Sequence, residues 1–158
     1  MYLLIITAGL CLTYFVLYFL FSIFFKNSTT VLNSKAMVSV LYIVLGSFLS
    51  YVVSTNISNL QLANRVLHAL GGGAVGMLIC FLVVRDSKLK INRFQFFVFS
   101  FLIVMTLGIA NETIEYFLQT YAHYIFAPTP TDTWLDLISN LTGALAAGVI
   151  LTPFVNKK

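Results

Sequence analysis

Five apolar stretches, each close to the length that carries a helix across a bilayer, restrict this chain to one class of fold. They occupy positions 1–25, 36–53, 66–84, 94–118 and 134–155. A spanning helix needs about 20 apolar residues. Within lipid, only a structure that satisfies its own backbone hydrogen bonds survives. The polar links between the stretches are short. The expectation is therefore an all-α integral membrane bundle of five transmembrane helices, with 1–158 forming a single polytopic domain. Composition excludes the alternative. The chain is 59% hydrophobic and only 9% charged, whereas soluble domains carry about 25% charged residues. The fourth stretch is continuously apolar only to Ala110 and then carries two glutamates, so hydropathy supports it least.

The first stretch has no basic residue ahead of it and no small-residue cleavage site, and it reads as a retained helix. Cys11 and Cys80 fall inside expected spans. They offer no metal spacing and no disulfide framework, so they read as small hydrophobes.

Charge sets the expected orientation. With five spans, the first and third links share a side with the C-terminus. That side holds Lys26, Lys35, Arg85, Lys88, Lys90, Arg93, Lys157 and Lys158, and the other holds only Arg65. Basic residues in short links mark the cytoplasmic face. The N-terminus is therefore expected outside and the C-terminus in the cytoplasm. The net charge of +4 follows from this bias, and no nucleic-acid partner is expected. The 15 Phe and 8 Tyr read as lipid-facing bulk and interfacial belt rather than a base-stacking platform. The run from Arg85 to Arg93 also suits an anionic-lipid patch, although a topology signal is the plainer reading.

Four of the five acidic residues, Glu112, Glu115, Asp132 and Asp136, lie between positions 112 and 136. Ionisable groups near a bilayer are costly and normally face protein or water. Under the expected orientation they all lie toward the extracytoplasmic leaflet, together with Arg65 and His68. Glu112 and Glu115 are three apart and share a helix face. Two carboxyls so close in low dielectric do not both ionise easily. That suits an acid/base pair, a shared cation or a partner such as Arg65, and equally a solvated helix end. Asn111 and Gln119 flank them as further candidate ligands.

Asp132, Asp136 and Asn140 recur every four residues and form one polar stripe on the fifth helix. Asp132 suits a helix cap, and Thr133 with Asp136 resembles a capping box. Asn140 lies too deep for that explanation. Trp134 reads as an interfacial anchor. His68, one turn beyond Arg65, suits a proton shuttle or metal ligand as well as a satisfied polar contact. His123 reads as exposed. Gly71, Gly72, Gly73 and Gly76 follow no strand, so they do not form a phosphate loop. With Gly143, Ala144, Ala147 and Gly148 they read as surfaces for close helix approach. Tight packing of spans three and five would bring His68 near Asp136 and Asn140. No zinc-ligand spacing, nucleophile elbow or P-loop occurs, and neither a metal nor another cofactor is specified by motif.

NRVLHALGGG, NETIEYFLQ and DTWLDLISNLTGALAAG, in this order, resemble the VanZ-like superfamily over about positions 64–150. The Glu-x-x-Glu and Asp-Thr details are similar to small inner-membrane members more than to the founding resistance protein. The resemblance implies a multi-pass protein of the bacterial cytoplasmic membrane. It also implies a polar centre of His68, Glu112, Glu115, Asp136 and Asn140. The founding member is associated with resistance to teicoplanin, a lipid-bearing glycopeptide, and no catalytic mechanism comes with the family. Three functions compete. One is an outer-leaflet protein that binds, or protects against, an amphiphile. Another is a small enzyme acting on a lipid-linked substrate, with catalytic candidates His68, Glu112, Glu115 and Asp136 and binding candidates Arg65, Asn111, Gln119, Asp132 and Asn140. The third is a structural membrane subunit. A transporter ranks below these, because five spans are few and no internal repeat is visible.

Overall fold

A computed structural model describes residues 2–24, 34–123 and 129–155. The described residues form helices α1 (Tyr2–Phe24), α2 (Ser34–Thr55), α3 (Leu60–Leu67), α4 (Val75–Asp86), α5 (Arg93–Ala122) and α6 (Pro130–Leu151). A π-helical turn, His68–Ala74, joins α3 to α4 without a break, and a 3-10 turn, Thr152–Phe154, ends α6. Five helices result that are long and apolar enough to cross a membrane. The expected all-α membrane bundle is the observed fold. Lys26, Lys157 and Lys158 of the charge bias lie outside the described residues.

Local chemistry explains where the spans begin. The Asn59 side chain accepts from the Leu62 amide at 3.0 Å and starts α3. Asn92 and Gln95 form a reciprocal capping box at α5. Both devices satisfy amides that a helix start leaves unpaired. These starts correct the sequence-derived bounds. The third span begins at Leu60 rather than at position 66, because α3 is amphipathic and its polar residues dilute the apolar signal. The fifth begins at Pro130 rather than at position 134, where the fixed φ of proline suits a first helical residue. The fourth, weakest by hydropathy, continues unbroken to Ala122.

The third span is the centre of the bundle. Half of its apolar window is buried, against 17–28% for the other four spans. It packs against α1, α2, α5 and α6. Met77, Ile79, Cys80, Leu82 and Val83 form its core face, meeting Tyr14, Ile43, Phe96 and Val104. Cys80 is buried and Cys11 partly so, and both are free thiols. Phe94, Leu102, Ile109, Phe117 and Ile150 point outward, as suits a surface solvated by lipid.

Spans three and five touch backbone to backbone. A Cβ on Gly73 would collide with the Asn140 carbonyl, and one on Gly143 with the Ala69 carbonyl. Glycine is required at both positions because the helices leave no room for a side chain. Gly72 and Gly108 flank the Asn140 amide in the same way. The polar residues of α6 are thereby pressed against the π-helical turn.

Candidate functional site

The π-helical turn opens at His68 and covers HALGGGA, and its final i→i+5 bond runs from the Val75 amide to the Leu70 carbonyl. Such insertions are rare and recur at functional sites. Here the turn follows the amphipathic α3, whose Asn64 and Arg65 lie one turn before His68. It rests on α6, whose Asp132, Asp136 and Asn140 are spaced one turn apart. The fourth contribution comes from α5, which presents Glu112. At 1.5 Å per residue, Asp136 lies about 9 Å inside the start of α6.

Arg65 organises one side of the centre. Its Nη2 meets Asp132 Oδ1 at 2.6 Å, and its Nη1 donates to Asp136 Oδ1 and, at 3.1 Å, to the Asp132 carbonyl. Asn64 Nδ2 donates to the same Asp136 oxygen at 3.0 Å. His68 Nε2 lies 3.5 Å from it. Asp136 is 2% exposed, so this arrangement is a paired buried carboxylate of the kind that needs both a counter-charge and hydrogen bonds. Asp132 also accepts from Thr129 Oγ1 at 2.8 Å.

Glu112 stands differently. It is 6% exposed, and both carboxylate oxygens lack a hydrogen-bond partner among the described residues. Asn140 Oδ1, on a residue 3% exposed, is likewise unpaired. Buried polar atoms are nearly always hydrogen-bonded, and exceptions call for an explanation. His68, Glu112 and Asp136 each bring one donor atom within 4.8 Å of the others. The site therefore combines an imidazole, an anchored carboxylate and an unanchored one. That set can hold a water, take a proton from it, or hold a cation.

The expected acidic pair on α5 divides. Glu112 turns into the bundle, whereas the half-buried Glu115 accepts from the exposed Asn111 at 2.8 Å. Glu115 and Asn111 thus form a local i,i+4 pair outside the compact centre. Gln119 is half-buried one turn further along. His123 is exposed and closes α5 in the left-handed conformation, with φ 58°. The Thr133–Asp136 capping box does not form. With the helix starting at Pro130, Asp136 is an interior residue bound to Arg65, and Asp132 lies in the first turn. Capping therefore does not account for Asp136.

Sequence reasoning passed over two features. Asn64 is the first; its position one turn before His68 was the available signal. The other lies at the opposite end of the third span. Asp86, 1% exposed, accepts from Tyr14 Oη at 2.8 Å, Ser39 Oγ and Arg85 Nε at 2.9 Å. Arg85 also donates to Ser39 Oγ at 2.9 Å. This cluster ties α1, α2 and α4 together with its carboxylate fully engaged. As the fifth acid, standing apart from the other four, Asp86 carried a faint signal of its own.

A family model described as Predicted membrane protein (DUF2238) matches residues 2–157. No curated protein and no solved structure matches the chain.

Proposed function

The chain belongs to the DUF2238 family of membrane proteins, and from that premise we propose that it is a small membrane enzyme that hydrolyses a lipid-linked envelope molecule. One observation carries this reading. The two Glu112 oxygens are buried beside His68 and Asp136 without a partner among the described residues. A purely structural polar centre would pair them, since an unsatisfied buried group is costly. An unanchored carboxylate next to an imidazole is what activation of a water requires. Glu112 takes a proton from water as the water oxygen bonds to the atom joining head group to lipid. The bond from that atom to the leaving oxygen breaks, and protonated His68 donates to that oxygen. The proton on Glu112 then passes to His68 and restores both, while Asp136 orients His68. Asn64 and Arg65 fix Asp136 in turn.

The substrate class follows from the surroundings. The centre lies within apolar helices, so its substrate reaches it from the bilayer. An apolar groove of about 240 Å³ runs between α2 and the third span, lined by Gly46, Leu49, Val53, Leu70, Ala74 and Leu78. Leu70 and Ala74 belong to the same π-helical turn as His68. By the charge bias the centre serves the extracytoplasmic leaflet of a bacterial cytoplasmic membrane.

Turnover by purified protein in nanodiscs tests the proposal, with polyprenyl-linked and diacylglycerol-linked head groups as substrates. Wild type is expected to release head groups. Glu112→Gln and His68→Ala are expected to lose at least the roughly 10²-fold that one general acid or base contributes. Glu115→Gln is expected to retain activity. Intact substrates across the panel would sink the enzymatic reading.

The likeness to the VanZ-like superfamily supports a second reading, capture of a lipid-bearing glycopeptide by the same groove and centre. A host expressing the protein is then selectively protected from teicoplanin over a non-lipidated glycopeptide. Protection that survives Glu112→Gln would favour capture over catalysis.

A further inference from the structure

The geometry points to a divalent metal site of the zinc type, formed by His68, Glu112 and Asp136, with Asn140 Oδ1 as a candidate fourth protein ligand. This deepens the enzymatic reading by naming the cofactor of the same centre, yet its test stands apart from turnover. Three observations converge.

The first is distance. Three donor atoms that all lie within 4.8 Å of one another surround a point no more than about 2.8 Å from each. A loaded zinc site holds nitrogen and oxygen ligands at about 2.0–2.2 Å. Side-chain rotations that draw the ligands inward by several tenths of an ångström close that gap.

The second is the set of unpaired atoms. Both Glu112 oxygens and Asn140 Oδ1 are the buried side-chain atoms without partners among the described residues. The Asn140 amide is wedged between Gly72, one turn from His68, and Gly108, one turn from Glu112. A Cβ at Gly72 would meet its Oδ1, and one at Gly108 would press more lightly on its Nδ2. Unpaired buried oxygens on α5 and α6, one of them on Glu112 within reach of His68 and Asp136, are acceptors that a cation would satisfy.

The third is charge. Arg65 supplies one positive formal charge, and Asp132, Asp136 and Glu112 supply three negative ones. A divalent ion cancels the excess of two, which matters in a low-dielectric setting. The supporting bonds also fit. Asn64 and Arg65 already orient the Asp136 carboxylate, as partners outside the ligand shell do in metal sites. A mixed imidazole and carboxylate set suits zinc or manganese. With the ion bound, His68, Glu112 and Asp136 would serve as its ligands and the ion would supply the water activation. The roles given above to Glu112 as base and His68 as acid are those of the metal-free centre.

Metal content of the full chain tests the proposal. The protein is purified in detergent through a tag without histidine, stripped with chelator and titrated with Zn²⁺ and, as a spectroscopic probe, Co²⁺. Saturable uptake of one ion per chain is expected, with the visible bands of Co²⁺ in a low-symmetry site. Glu112→Gln is the decisive variant, because it preserves shape and removes no protein hydrogen bond. It is expected to weaken Co²⁺ binding by more than the roughly 10–100-fold that changes outside a ligand shell cost. Asp132→Asn, which touches only Arg65 and Thr129, is expected to stay within that range. No saturable uptake by wild type, or equal uptake by folded Glu112→Gln, overturns the site. Metal bound without turnover supports the site and rejects the hydrolytic reading. Turnover by stripped protein that takes up no metal does the reverse.

Discussion

Arg65 is the residue on which the electrostatics of the centre depend. Its guanidinium contacts Asp132 and Asp136, and the three side chains are only 15%, 16% and 4% exposed. Removing one member of a buried pair strands the other charge, at a cost of about 3–5 kcal/mol. Arg65→Met is therefore expected to lower stability by about that amount, measured by denaturant titration in detergent. Arg65→Met with Asp136→Leu is expected to recover most of the loss, because replacing both partners with apolar groups is often neutral. Glu112 behaves in the opposite way. Its carboxylate has no partner among the described residues, so Glu112→Met in chelator-stripped protein is expected to raise stability by about 1 kcal/mol, the scale of one unsatisfied group. A lower thermal midpoint would show that Glu112 makes a stabilising contact. At this scale the sequence was informative about identity and poor about pairing. Spacing placed Glu112 and Glu115 on one face, yet the bundle distinguishes residues only about 60° apart around the helix. Only the position of α6 decides that Glu112 turns inward while Glu115 bonds Asn111.

Helical elements were legible where apolar length is decisive, because a bilayer demands that length. Their ends were less so. α3 carries Asn64 and Arg65 in its eight residues, and no hydropathy window extends through them to the Asn59 cap. The π-helical turn was illegible for a different reason. Three consecutive glycines signal close approach, but an i→i+5 pattern has no side-chain signature. What glycine did announce was the contact itself. Gly143 faces the Ala69 carbonyl with no room for a methyl group, whereas Gly9 has nothing within 4 Å of an added Cβ. Backbone atoms on both sides cannot turn aside as a flexible side chain would. Gly143→Ala is expected to separate α6 from the π-helical turn and cost at least the roughly 1–3 kcal/mol of core overpacking. Gly9→Ala is expected to be neutral or slightly stabilising, since alanine is the better helix former. Unfolding midpoints of the two variants check the contrast. If Gly143→Ala unfolds like wild type, the backbone contact is looser than described.

Across the whole molecule the two polar clusters lie at opposite ends of the third span. One surrounds Arg65 and His68 near its start, and the other surrounds Asp86 at its end. Asp86 is bound by Tyr14, 72 residues earlier in the chain, a separation that no local pattern reveals. The links at the two ends differ in charge. The segment between α4 and α5 is bounded by Arg85 and Arg93 and holds Lys88 and Lys90, while the link between α2 and α3 has no charged residue. An imbalance of this kind governs insertion, and the expectation it sets is the Asp86 end in the cytoplasm and the His68 centre outside. Single cysteines in a background lacking Cys11 and Cys80 report this directly. Asn56→Cys, on the link before α3, is expected to react with a membrane-impermeant maleimide in intact cells. Lys90→Cys is expected to react only after permeabilisation. The reverse pattern would move the centre to the cytoplasmic leaflet. A substrate reaching it would then carry its head group inside the cell, and extracellular glycopeptides would be excluded as ligands.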